Sequence, residues 1–186
     1  MEHDKIGWPG RFFEVGRYVM EGVPVSQVRH SFNGKRVFYN KRFTDKKKYV
    51  TQQIKIQKRV VIYPKINFDF LAKDFFTNKK IEAGVPLKIV LLYIFPRPKR
   101  LKRKKDPANY IAHVSKPDVD NLDKFYLDCL SGIAFEDDNQ IFNIESIKLY
   151  SSYDYESKTE GWVGTIAHIF KPDHEVYFKN PDELPW

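Results

Sequence analysis

The sequence predicts a single domain of the α/β (α+β) class, in which helices pack on a mixed β-sheet. The chain has 186 residues, which is about the length of one domain. Helical and strand patterns alternate along it, and residues 86–95, 141–150 and 162–170 have the apolar, β-rich character of strands. We expect residues 23–171 to form the domain, between an N-terminal extension of unknown role, residues 1–22, and a C-terminal tail, residues 172–186.

The first half of the chain combines an extended segment, a hairpin and two helical patterns. We expect residues 22–28 to be extended, and the Asn33-Gly34 pair between apolar neighbours is typical of a hairpin turn. Thr44 is a suitable helix N-cap, after which Tyr49, Val50 and Ile54 recur at helical spacing. A further helical face is predicted over residues 68–76.

The second half predicts a strand, a long loop, a helix and two closing strands. Pro96 and Pro98 end the strand at residues 86–95, and the loop runs over residues 97–109. A helix is predicted over residues 120–130, with Gly132 in position to end it. Its expected buried face consists of Leu122, Phe125, Tyr126, Cys129 and Leu130. The last two strands are joined by a polar turn, residues 151–160.

Composition excludes several classes of protein. Cys129 is the only cysteine, which excludes an internal disulfide and any zinc site built on two or more thiolates. No apolar run approaches the about 20 residues that a membrane span needs, and the N-terminus has no signal-peptide pattern. We therefore expect a cytoplasmic protein without membrane attachment.

The positive charge of the chain is concentrated in two stretches. The net charge is +8 at pH 7. The first stretch contains one acid and eight basic residues: Arg29, Lys35, Arg36, Lys41, Arg42, Lys46, Lys47 and Lys48. The second contains no acid and seven basic residues: Arg97, Lys99, Arg100, Lys102, Arg103, Lys104 and Lys105. Clusters of this kind bind phosphates by releasing condensed counterions, so a nucleic-acid partner explains the pattern. A solvated loop is the alternative for each stretch taken alone.

Residues 116–124, Lys-Pro-Asp-Val-Asp-Asn-Leu-Asp-Lys, place carboxylates at the start of the predicted helix. Asp118 and Asp120 are two residues apart, which in an extended segment directs both side chains to one side. Asp120, Lys124 and Asp128 follow at helical spacing on one face. A second acidic turn, with Asp137 and Asp138, follows the helix, and a short loop can return it toward a neighbouring sheet edge.

Clustered carboxylates repel one another, at a cost of about 4 kcal/mol for two charges about 4 Å apart at an effective dielectric of 20. A proton, a lysine or a divalent cation can offset this cost, and Mg2+ takes carboxylate and water oxygens as ligands. A metal beside a basic groove is the arrangement that phosphodiester hydrolysis requires. The alternative is that the aspartates only cap the helix, for which Asp120 is the candidate.

The motif closely resembles the RusA family of Holliday junction resolvases. The similarity consists of the Asp-x-Asp-Asn-Leu-x-Lys helix start at residues 118–124 and the Asp-Asp-x-Gln turn at residues 137–140. It extends over about residues 85–170, and residues 24–60 match more loosely. The family fold is consistent with the predicted mixed sheet and helices.

The resemblance implies a homodimeric endonuclease that uses Mg2+, with Mn2+ able to substitute, to cut four-way DNA junctions during recombination and repair. It assigns catalysis and metal binding to Asp118, Asp120 and Asp138, and a catalytic role to Lys124. Asp128 and Asp137 match acidic positions of less certain role. The two basic stretches and Lys116 are the expected DNA contacts. The family implies a DNA-associated protein encoded by a bacterium or a phage.

Three alternatives remain open from the residues alone. A non-catalytic protein that binds branched DNA would contain the same basic stretches but cut nothing. A metal nuclease with a similar site can act instead on flaps, forks or RNA. An interaction protein would use the aspartates only as helix caps, so replacing them would change stability and no activity.

Overall fold

The computed structural model describes residues 12–27, 31–32, 37–38, 41–57 and 79–172. These residues form nine strands and two α-helices. They are β1 (Phe12–Glu21), β2 (Ser31–Phe32), β3 (Val37–Phe38), α1 (Lys41–Gln57), β4 (Leu87–Phe95), β5 (Ile111–Ala112), α2 (Val119–Leu130), β6 (Ile141–Tyr150), β7 (Tyr153–Asp154), β8 (Thr159–Glu160) and β9 (Gly164–Pro172). Neither helix is long and apolar enough to cross a membrane.

Five strands form one mixed sheet in the order β1-β9-β4-β6-β5. Strands β4 and β6 are parallel, and the other neighbouring strands are antiparallel. Because parallel strands need a crossover connection, α2 returns the chain from the end of β4 to the start of β6. The mixed sheet with its helices confirms the predicted fold class.

The hydrophobic core lies between one face of the sheet and both helices. The alternating pattern of β4 places every second residue on this face, and all of these side chains are buried: Leu87, Ile89, Leu91, Tyr93 and Phe95. The five residues predicted as the inner face of α2 are all buried as well. Helix α1 contributes Phe43, Val50 and Ile54, and the Phe43 ring meets Phe125 edge to face at 5.5 Å.

Strand β1 differs from the prediction, which left residues 1–22 outside the domain. Residues 12–21 pair along their length with β9 and form an edge of the main sheet. The outer edge of β1 is protected by α1: the Val19 and Glu21 N–H groups donate to the side-chain amides of Gln57 and Gln53, both at 2.7 Å. The domain therefore includes residues 12–21, because partners distant in sequence stabilise this strand.

Helix α1 begins at Lys41 rather than after Thr44. Its buried face runs through Phe43, Val50 and Ile54, whereas the Tyr49 side chain, which belongs to the same predicted helical pattern, is 56% exposed. The predicted helical face over residues 68–76 lies outside the described residues.

The shorter predictions are confirmed with small shifts. Strands β2 and β3 pair antiparallel, as expected on either side of the predicted hairpin turn, although the turn itself lies outside the described residues. The last long strand, β9, begins at Gly164 rather than residue 162. The polar turn before it contains the small hairpin of β7 and β8.

Candidate active site

The start of α2 presents two exposed carboxylates, Asp118 and Asp120. Asp118, not Asp120, is the N-cap residue, and its side chain makes no capping hydrogen bond. Within the described part of the chain, the Asp120 carboxylate accepts a hydrogen bond from its neighbour Asn121, at 3.2 Å. The usual capping role of aspartate is therefore not used here, and both carboxylates are accessible to another partner.

The segment leading to Asp118 is fixed to β6 by a lysine that sequence reasoning did not identify. Lys148 Nζ donates to the carbonyl oxygens of Ser115 and Pro117, at 2.6 Å each. A hydrogen bond of 3.0 Å joins the Ser115 and Tyr150 hydroxyls. These contacts place the start of α2 at the carboxyl end of β6.

His113 packs under the same segment. Its ring lies between Phe95 and Tyr150, with centroid distances of 4.4 and 4.3 Å. Burial, and then the nearby positive charge of Lys148, lower the pKa of His113 below its usual 6.5. The neutral imidazole is therefore the form that the fold favours.

Asp123, one turn into α2, ties the helix to two strands. Its Oδ1 atom accepts hydrogen bonds from the hydroxyls of Tyr93 and Ser146, both at 2.7 Å. Burial, and then the neighbouring Asp123 carboxylate, raise the pKa of Tyr93. Lys124 is exposed on the next position and forms no ion pair with any described residue, so it does not neutralise Asp120 or Asp128. Asp123 thus positions the turn that contains the catalytic candidates.

An open cleft of about 360 Å³ lies between the start of α1 and the start of α2. Its walls include Val23–Ser26, Arg42, Phe43, Lys46, Phe95 and Pro117. The wall at residues 23–26 is fixed by hydrogen bonds from the Val25 N–H to the Tyr126 hydroxyl, at 3.2 Å, and from the Gln27 N–H to the Asn121 carbonyl, at 2.7 Å. The cleft therefore has two basic residues of α1, Arg42 and Lys46, in its walls together with Pro117, the residue before Asp118.

The first basic stretch is divided by the structure. Lys41, Arg42 and Lys46 lie along the first turns of α1. Lys47 forms an ion pair with Asp128, at 3.2 Å, and this pair joins α1 to α2. Three predicted DNA contacts, Arg29, Lys35 and Arg36, lie outside the described residues.

Arg97 was predicted to bind DNA, and the structure corrects this prediction. The residue is only 2% exposed. Its guanidinium donates to the carbonyl oxygens of Ser151, at 2.9 Å, of Pro107 and of Asn109. Pro107 and Asn109 belong to the basic loop (residues 97–109), and Ser151 directly follows β6. The donors of Arg97 therefore hold the loop and are not available to bind a phosphate.

The remaining basic residues of this loop fall into two groups. Lys102 pairs with Glu160 at 3.1 Å, and Arg103 pairs with Asp106 at 3.0 Å. Four side chains are exposed and form no hydrogen bond or ion pair with any described residue: Lys99, Arg100, Lys104 and Lys105. Lys116, next to the helix start, is also exposed.

The second acidic turn lies at the other end of α2. Asp137 caps the short turn Asp138–Gln140 by accepting from the Asn139 N–H, at 3.0 Å. Gln140 anchors this turn by donating to the Glu82 and Val85 carbonyls, just before β4. Asp138 is exposed and does not cap the turn. Both neighbouring aspartates are exposed, but the Asp137 carboxylate is engaged in capping the turn, whereas that of Asp138 is not.

Asp118 and Asp120 are not brought together with Asp138 in one chain. Helix α2 has 12 residues and is therefore about 18 Å long, whereas carboxylates that share one Mg2+ lie within about 4–5 Å of each other. In the described residues there is no group of three or more His, Cys, Asp or Glu side chains that could hold a metal ion. The parts of the motif are close in sequence but lie at opposite ends of the β4–α2–β6 unit.

Comparison with known proteins identifies the family to which the chain is similar. The family model described as endodeoxyribonuclease RusA matches residues 21–155. The match includes both acidic turns, the basic loop and α1. A search of curated proteins finds no match. Because the family model covers most of the chain, the protein belongs to the RusA endodeoxyribonuclease family.

Proposed function

We propose that this protein resolves four-way DNA junctions by paired, metal-dependent cleavage of phosphodiester bonds in DNA recombination and repair. The observation that carries the proposal is the exposed pair Asp118 and Asp120 at the same sheet edge as the basic loop, in a member of an endodeoxyribonuclease family. Both features lie at the carboxyl ends of β4 and β6, where open α/β sheets bind their ligands.

The aspartates at the helix start have the chemistry that Mg2+ requires. Mg2+ is usually bound by one or two carboxylates, several waters and the phosphates of the substrate. Asp118 and Asp120 are two accessible carboxylates within one turn, and neither is used to cap the helix. They are the residues that would hold the ion, and Mn2+, which accepts the same oxygen ligands, is expected to replace it. When bound, the metal supplies an activated water and screens the charge of the phosphate.

Lys124 is the candidate for direct contact with the reacting phosphate. It lies four residues after Asp120, so it occupies the same face of α2 one turn further along. Its ammonium group forms no ion pair within the described residues and is exposed. An ammonium group in this position can stabilise charge that develops on the phosphate oxygens.

The uncovered edge of β6 supports a homodimer. Strand β5 pairs with β6 only at Leu149 and Tyr150, so none of the described strands covers the edge from Ile141 to Ile147. Three apolar side chains of this strand are 39–49% exposed: Phe142, Ile144 and Ile147. An uncovered edge of this kind is a template for another strand.

Antiparallel pairing of β6 with β6 of a second copy completes the site. Asp138 precedes β6, whereas Lys148, near its other end, holds the segment before Asp118. A two-fold axis through the middle of β6 therefore places Asp138 of one copy beside Asp118 and Asp120 of the other. The dimer then contains two equivalent sites, as cleavage of a two-fold symmetric junction requires.

The test uses purified protein and a labelled synthetic four-way junction, with and without Mg2+. A linear duplex of the same sequence and a forked duplex serve as substrate controls. Asp120→Asn removes a candidate ligand, whereas Asp128→Asn is the matched control because that aspartate lies on the same helix and pairs with Lys47. We expect paired nicks that produce ligatable duplexes, only on the junction, only with metal and in both the wild type and Asp128→Asn.

The other results would contradict the proposal in different ways. Junction binding without cleavage would identify a non-catalytic binding protein. Equal cleavage of the fork or the linear duplex would identify a nuclease with another substrate class. Full activity of Asp120→Asn would remove that residue from the site.

A further inference from the structure

We propose that the basic loop (residues 97–109) is a cationic platform that is already ordered before DNA binds. Arg97 and Glu160 position its backbone, and the four exposed residues Lys99, Arg100, Lys104 and Lys105 bind phosphates. This inference rests on the proposed function, since it concerns how the same protein holds DNA. It assigns positioning roles to Arg97 and to Glu160, although the charge of Glu160 is negative like that of DNA.

Arg97 organises the loop from inside. A guanidinium has five N–H donors in a fixed plane. The Arg97 guanidinium donates to the backbone carbonyl of Ser151, which follows β6, and to the carbonyls at the end of the loop, those of Pro107, Ala108 and Asn109. A buried charge is tolerated only when it is hydrogen-bonded in this way. The bonds therefore fix the end of the loop to the end of the sheet.

Glu160 fixes the beginning of the loop. Its Oε1 atom accepts from the Arg97 N–H and from the Ser151 hydroxyl, the latter at 2.7 Å, while Oε2 accepts from Lys102 at 3.1 Å. Partial burial opposes ionisation of this carboxyl, but the bonds from Ser151, Arg97 and Lys102 outweigh it and lower the pKa of Glu160. The carboxylate thus joins the loop to β8.

The hairpin of β7 and β8 holds the middle of the loop. The Tyr155 hydroxyl donates to the Asp106 carbonyl at 2.8 Å, and the Tyr153 N–H donates to the Ala108 carbonyl at 2.8 Å. Lys102 lies over the Tyr153 ring, with its Nζ atom 5.1 Å from the centroid. Leu101 packs against the hydrophobic core. Contacts along its whole length therefore restrain the loop without any contribution from DNA.

These restraints divide the seven basic residues by role. Three hold the loop: Arg97 through carbonyls, Lys102 through Glu160 and Arg103 through Asp106. The other four are exposed on a backbone that is already ordered before DNA binds. Preordering reduces the entropy cost of binding, so loss of a positioning residue should weaken binding although no phosphate contact is removed.

The first experiment measures hydrogen exchange in the free protein. The Lys102, Asp106 and Tyr153 amides donate to Lys99, Arg103 and Ala108 carbonyls, respectively. We expect them to exchange at least about tenfold more slowly than in an unstructured peptide when no DNA is present. Exchange at the unstructured rate that slows only after junction is added would overturn the proposal, because the loop would then be ordered by DNA.

The second experiment compares two variants that each remove an acid from the same hairpin. Glu156 is exposed and its carboxylate has no bond to any described residue, so Glu156→Ala should leave junction binding unchanged or slightly tighter. Removing Glu160 has the same effect on net charge but frees the loop. We expect Glu160→Ala to bind a junction about tenfold more weakly in metal-free buffer. Tighter or unchanged binding by Glu160→Ala would overturn the positioning role.

The salt dependence of binding separates positioning from phosphate contact. Arg97→Gln removes both the charge and the planar set of donors from a residue that contacts no phosphate in this proposal, so we expect weaker binding with an unchanged slope of log K against log salt. A slope reduced by about 0.9 would mean that Arg97 binds a phosphate, against the proposal. Lys104→Gln is expected to reduce the slope by about 0.9, and an unchanged slope would remove that contact. If the wild type does not bind junctions, the proposed function fails, whereas hydrogen exchange still decides whether the loop is ordered alone.

Discussion

Mixing two inactive variants tests whether the catalytic site is shared between two subunits. Asp120→Asn removes a carboxylate at the start of α2, and Asp138→Asn removes the one before β6. If each site combines the start of α2 in one copy with Asp138 of the other, a heterodimer of the two variants has one site with both lesions and one intact site. If the site lies within a chain, every site in the heterodimer is damaged.

The expected magnitudes follow from this geometry. Each homodimeric variant loses a group that acts as part of a unit, so its cleavage rate should fall by at least about 100-fold. The heterodimer should recover about half of the wild-type nicking rate, since one of its two sites is intact. Paired cleavage should not recover, because the second strand depends on the damaged site. Within one chain, the described residues contain no group of three or more His, Cys, Asp or Glu side chains that could hold a metal ion, which is the reason to expect a shared site.

The assay uses the two variants co-expressed with different affinity tags and purified through both tags. Nicking of a supercoiled plasmid that extrudes a four-way junction is followed separately from linearisation. A mixture of separately folded homodimers is the control for contamination. A purified heterodimer that is as inactive as either homodimer would refute the shared site, and a monomer in sedimentation would refute the dimer itself.

Three further predictions concern single positions. Asp120→Asn should keep or tighten junction binding while cleavage is lost, because it removes negative charge near phosphates; a binding titration without metal measures this. Tyr93→Phe removes one of the two hydroxyl donors to Asp123 and should lower the free energy of unfolding by about 1–2 kcal/mol in urea denaturation. The lowered pKa of His113 means that the unfolded chain takes up a proton first below pH 6.5. Wild-type stability should therefore fall with pH below 6.5, and less so in His113→Phe; equal pH profiles would refute that role.

The parts of the fold that sequence reasoning predicted are those with a strong local pattern. The buried face of α2 and the apolar run of β4 are visible in neighbouring residues, and both are confirmed. Strand β1 has no such pattern, because its stability comes from β9, more than 140 residues away, and from the amides of Gln53 and Gln57. The sequence of such an edge strand carries little sign of it, because one of its neighbours is a distant strand and the other is a row of side chains on a helix.

Charge and chemistry were easier to locate than the role of each residue. The basic loop was identified by composition, yet Arg97 within it is buried and bonded to carbonyls while its neighbour Lys99 is exposed. Asp137 and Asp138 are adjacent residues of the same type, and residue type alone does not show that Asp137 caps a turn and Asp138 does not. Burial and backbone geometry decide these roles, and neither is encoded in residue type or spacing.

The separation of the two acidic turns gives a physical reason for coupling dimerisation to cleavage. The residues between Asp120 and Asp138 build α2 and the turn that starts β6, so the fold itself holds the carboxylates at opposite ends of one unit. In the proposed dimer, a monomer would have an incomplete site, so we expect that it does not nick DNA on its own. Pairing of the β6 edges would form both sites at the same time, and the same two-fold axis would relate the strands to be cut. Restricting activity to the dimer would thus prevent a single unpaired nick, which does not resolve a four-way junction and leaves a broken strand.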